Sequence, residues 1–71
     1  MNWENKKELV LFLAGLQDFE VEEIQPWHLR LSLHGRKLDF FPKTGRATWV
    51  GSQQWFTIPD IELFINENYK L

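Results

Sequence analysis

Between residues 27 and 34 apolar and polar side chains alternate without a break. Trp27, Leu29, Leu31 and Leu33 fall on one side, and His28, Arg30, Ser32 and His34 on the other. A period of two is that of a strand with one buried face, because successive side chains point to opposite sides of the pleat. Such a strand needs neighbours at its edges and a cover for its apolar side. Gly35-Arg36 follows, and glycine as first residue of a two-residue loop predicts a type II′ hairpin. That hairpin sets Leu33 opposite Leu38 and Leu31 opposite Phe40. The next turn, Pro42-Lys43-Thr44-Gly45, closes as four residues and puts Phe40 opposite Ala47 and Leu38 opposite Trp49. An earlier strand is read where Phe19 and Val21 alternate with Glu20 and Glu22. A three-residue connection, Ile24-Gln25-Pro26, aligns Val21 with Leu29 and Phe19 with Leu31.

The flanks of this meander have helical spacing. Over residues 3–16, Leu9, Phe12, Leu13 and Leu16 fall at i, i+3, i+4 and i+7, so an amphipathic helix is expected, capped by Asn2 or Asn5 and stopped near Gly15. After Phe56, Thr57-Ile58-Pro59-Asp60 reads as a capping box with proline in the first turn, and Ile61, Phe64 and Ile65 continue the helical period. Both helices need the same apolar sheet face. The expected fold is a two-layer α+β domain with an N-terminal helix, a three- or four-stranded antiparallel meander and a C-terminal helix.

Seventy-one residues leave room for one core, so residues 1–71 are read as a single domain. Four Trp and six Phe in so short a chain are an efficient way to fill that core. There is no cysteine, which removes disulfides, thiolate catalysis and thiolate metal sites. No apolar run approaches the roughly 18 residues of a membrane span, so no membrane partner is expected and the chain is read as cytoplasmic. His28 and His34 lie six residues apart on one strand, about 20 Å at roughly 3.3 Å per residue, too far to share a metal ion. Gly-rich phosphate loops, a nucleophile elbow and HExxH are absent from the sequence. Neither a metal, a cofactor nor an enzymatic activity is expected.

Charge is placed unevenly. Residues 1–25 carry two lysines against six carboxylates, and residues 26–46 carry five basic side chains against Asp39 alone. The expected open sheet face displays His28, Arg30, Lys37, Phe41 and Arg46, with Phe41 across from Arg30 on one neighbour and from Arg46 on the other. An aromatic between two guanidiniums is the anchor chemistry of protein interfaces, and these five residues form the candidate partner-binding set. The alternative is a nucleic-acid module in which Arg36, Lys37, Lys43 and Arg46 hold phosphates and Phe41 or Trp49 stacks a base. Against it, Glu20 is expected to face Arg30 and Glu22 to face His28, so part of the positive charge is paired within the sheet.

The run Leu38-Asp39-Phe40-Phe41-Pro42-Lys43-Thr44-Gly45-Arg46 resembles an L-D-aromatic-aromatic-P-x-T-G-basic motif of small proteins from phages and mobile elements, and departs from them after Gly51, where Ser52-Gln53-Gln54-Trp55 replaces a basic Arg-Gly element. The resemblance implies a phage or prophage origin and, with the open face, a small non-enzymatic binding protein acting stoichiometrically on a host or defence protein. The helix, strands, helix layout is also similar to that of HicA-type ribonuclease toxins. The strand His of that family follows Gly-Ser, whereas His34 here follows Ser32-Leu33, so only the architecture is shared.

Overall fold

The structure, a computed structural model, describes residues 3–69. Its elements are α1 (Trp3–Gln17), β1 (Glu20–Gln25), β2 (His28–Leu33), β3 (Arg36–Phe41), β4 (Arg46–Trp49), β5 (Phe56–Thr57) and α2 (Ile61–Tyr69). The strands form one antiparallel meander in the order β1-β2-β3-β4-β5, five strands where the spacing predicts three or four. The extra strand is the short pairing of Phe56 with Ala47 and of Thr57 with Arg46.

Leu29, Leu31, Leu33, Leu38, Phe40 and Ala47 are buried on one sheet face beneath Val10 and Leu13 of α1 and Ile61 and Ile65 of α2. This is the expected two-layer arrangement. The buried stripe of α1 is rotated from the expected one, because Phe12 and Leu16 are exposed while Val10 lies in the core. Five consecutive apolar residues from Leu9 to Leu13 admit more than one stripe, and docking selects between them. Asn5 lies inside α1 and Asn2 lies outside the described residues. The helix runs past Gly15 and ends where Asp18 takes a φ of 61°, with Phe19 N–H donating to the Ala14 carbonyl at 3.1 Å. For α2 the cap is Asp60, whose Oδ1 accepts from Leu63 N–H at 3.1 Å, while Thr57 belongs to β5.

Two registers differ from expectation by two residues each. In the β2–β3 hairpin the loop is His34-Gly35, with φ of 51° and 81°, so both central residues are left-handed and the turn is type I′ rather than II′. Leu33 therefore pairs with Arg36, Leu31 with Leu38, and Arg30 with Asp39 instead of Phe41. In β1–β2 the chain reverses at Pro26-Trp27, placing Glu22 opposite Arg30 and Glu20 opposite Ser32, with an irregularity between Glu23 and Gln25. Trp27 is consequently exposed in the turn, and Phe19 precedes β1 but is still buried. The β3–β4 register is as expected, with Phe40 opposite Ala47 and Leu38 opposite Trp49. Because each slip is by two, residues 28–33 and 38–41 keep their expected faces, while Trp27 and His34 fall in the turns. Phe40 is fully buried and Phe41 lies on the open side.

Candidate functional site

All five residues of the partner-binding set stand on the open face. Their roles there divide. At its centre Arg30 reaches across to Asp39, with Nε donating to Oδ1 at 2.8 Å and Nη2 to Oδ2 at 3.4 Å. His28 Nε2 lies 3.1 Å from the same Oδ1 but is not aligned as a hydrogen bond, so it is buried beside the carboxylate without a directed partner. Burial pushes the Asp39 carboxyl up. Hydrogen bonding from Arg30, the adjacent His28 ring and the Arg30 charge outweigh that and hold it below the ordinary aspartate value. The Arg30 guanidinium is raised in turn, first by its hydrogen bond to Asp39 and then by that carboxylate's charge. With Glu22 set opposite Arg30 on the other side by the register, the middle of the face is a row of alternating sign.

Next to that row runs a line of rings. The imidazole of His28 stacks on Phe41 with centroids 4.4 Å apart, and Phe41 meets Trp55 at 5.5 Å and 46°. The Arg46 guanidinium sits 5.2 Å from the Trp55 ring centre. Trp55 is half exposed and lies outside the partner-binding set expected from the sequence. It lies in the irregular stretch between β4 and β5, which is positioned by the buried Thr48: its hydroxyl donates to the Gln54 carbonyl at 2.9 Å. Gln54 N–H in turn donates to Ser52 Oγ at 3.1 Å, and Ser52 N–H to the Trp49 carbonyl at 2.9 Å. Trp55 follows a run of four residues without an apolar side chain, Gly51, Ser52, Gln53 and Gln54, and that polar run before an aromatic is the available signal.

The alternative phosphate-binding set is split by the sheet. Arg36 shares the side of Leu38 and lies 3.9 Å from the ring centre of Trp49, at the helix side, whereas Lys37 points to the open face beside Ser32. Lys43 is exposed in the β3–β4 turn and Arg46 follows on the open face. Among the described residues none of these four forms an ion pair.

His34, expected on the open face, turns the other way. Its ring stacks on Tyr69 at 4.4 Å and Nε2 lies 2.9 Å from the Tyr69 carbonyl. A cavity of about 270 Å³ lined by Lys6, Leu9, Phe40, Ile58 and Ile61 also belongs to the helix side, and the Asp60 at its rim caps α2. Among the described residues no group of three His, Asp or Glu side chains is placed to hold a metal ion. No helix is long and apolar enough to cross a membrane. Comparison with known protein families, curated proteins and solved structures finds no match to the chain.

Proposed function

We propose that the chain is a stoichiometric binding protein that docks another protein on its open sheet face, around Phe41, Trp55 and Arg46, and performs no turnover. A phage or prophage origin and a host or defence protein as target belong to the same proposal, supported by the motif in residues 38–46. The observation that carries it is the ring line from His28 through Phe41 to the half-exposed Trp55, ending in Arg46. Tryptophan and arginine are the side chains most enriched among residues that dominate protein interfaces. The absence of catalysis is supported by the state of both histidines, since His28 is packed between Phe41 and Asp39 and His34 engages a helix carbonyl.

A polyanion fits this face less well. A strand of phosphates along the rings would pass beside Asp39 and Glu22, and Arg36 lies on the far side of the sheet. The half-exposed Trp55 is what keeps nucleic acid as a second reading, because base stacking is sequence-tolerant. Co-purification from bacterial lysate tests the first reading. The wild type should retain a partner near one to one, Trp55→Ala with Arg46→Ala should lose it, and Glu67→Ala on the opposite layer should keep it. Equal recovery by all three removes the face from the argument. Titration of a labelled single strand at two salt concentrations tests the second, since even four phosphate contacts make affinity fall steeply with salt.

A further inference from the structure

The two arginines of the open face differ in what their donors do. Arg30 gives Nε and Nη2 to Asp39, so its hydrogen-bonding edge is occupied within the protein. Arg46 is exposed, has its guanidinium carbon over the Trp55 ring at 5.2 Å from the ring centre, and has no carboxylate within ion-pair distance among the described residues. An exposed guanidinium with no carboxylate partner of its own leaves its planar fork of N–H donors available to a ligand, and a ring beside it limits the orientations it must give up on binding. Beside it the exposed part of Trp55 and the edge of Phe41 offer apolar area, and Lys43 stands in the preceding turn.

Resting on the reading of this face as a protein-docking surface, we propose that its occupant is a protein segment that presents a side-chain carboxylate to the Arg46 fork and an adjacent aromatic side chain to Trp55. Charge complementarity selects the acid, because Arg46 and Lys43 lack internal counter-charges. The same face selects a short acidic element over a long anionic one: on the neighbouring row Glu22 and Asp39 flank Arg30, whose donors Asp39 already occupies, so an anion extending past Phe41 meets no free cation there. A single carboxylate next to a ring satisfies both conditions. The partner's backbone needs no particular conformation for this.

The test uses the full chain and three probes: a seven-residue peptide with Asp-Phe-Glu at its centre, the same peptide with Asn-Phe-Gln, and an eight-nucleotide thymidine strand. Binding is followed by two-dimensional NMR through the Trp55 indole N–H and the Arg46 Nε–H. The expected result is a saturable shift of both signals with the acidic peptide. The amide peptide should bind at least about tenfold more weakly, as loss of a charge-assisted hydrogen bond implies. Arg46→Gln should weaken the acidic peptide by a similar factor, with Arg46→Lys intermediate because it keeps charge but loses the planar fork. Arg46 is an exposed strand residue, and unchanged dispersion of the remaining amide signals verifies that each variant is folded. Equal affinity for acidic and amide peptides overturns the proposal, as does tighter binding of the thymidine strand or no saturable binding of any probe. If lysate capture still depends on Trp55 while the two peptides bind alike, the carboxylate assignment fails and the docking reading stands.

Discussion

The centre and the margin of the open face carry the same kinds of side chain with opposite consequences. On β2 and β3, Arg30, Asp39 and His28 close on one another; on β4 and the segment before β5, Arg46 and Trp55 close on each other and leave a cation facing out. One strand separates the two arginines. What decides whether a basic side chain is available to a partner is the residue that the register sets opposite it. The count of basic residues in the middle third, which suggested a positive surface, overstates the usable charge for that reason.

The sharpest way to break the comparison is through the turn that sets the central register. Gly35→Val places a β-branched residue at φ 81°. No atom lies within 4 Å of the position a Cβ would take, so the cost is backbone strain, on the order of 1–3 kcal/mol in denaturant unfolding. Signals of Arg30 and Asp39 should move with it, and those of Arg46 and Trp55 much less. Asp39→Ala should follow, with a loss of stability smaller than that of Gly35→Val yet clearly larger than any change at the margin, because it leaves Arg30 and His28 facing each other without the shared carboxylate.

The pH dependence sharpens the same point. Asp39 ionises more readily in the folded chain than at its ordinary value of 3.8. The folded state therefore binds fewer protons than the unfolded one in that range, and the resulting stability is complete above the unfolded value and lost as pH falls through the folded one. Acid unfolding of the wild type should steepen below about pH 4, and the profile of Asp39→Asn should be flatter there. The smallest effect belongs to Arg46→Gln, which should alter stability by no more than about 0.5 kcal/mol by thermal unfolding. A larger loss would mean that Arg46 supports the fold and is not held ready for a partner.

Much of this arrangement is legible in the sequence, and the difference in the two registers has one physical origin. The alternation of residues 27–34 assigns faces, and the assignment of Phe40 inward and Phe41 outward holds. Burial penalises a slip by one residue severely, since it would expose leucines and bury Arg30; it does not penalise a slip by two, which keeps every side chain on its face. Both hairpins flanking β2 slipped by two. The turn chemistry had to choose, and His34 accepts the left-handed conformation that the pattern reserved for Gly35 alone. The consequence reached the site, exchanging Asp39 for Phe41 opposite Arg30 and giving Phe41 to His28. Trp55 escaped because its position depends on the Thr48 hydroxyl holding an irregular segment, which no periodicity encodes.

The corner where His34 meets Tyr69 bears on how the molecule opens. The Tyr69 hydroxyl donates to the Asp18 carbonyl at 2.9 Å and its ring packs against Phe19, so the end of α2, the end of α1 and the β2–β3 turn are fastened at one point. These contacts span 35 and 51 residues of chain, whereas the strands pair with their immediate successors. A nine-residue helix does not persist alone in water. Loss of that fastening should release α2 as a unit while the meander stays paired, so amide protons of α2 should exchange with solvent through partial opening, faster than those of β2 and β3, which wait for global unfolding.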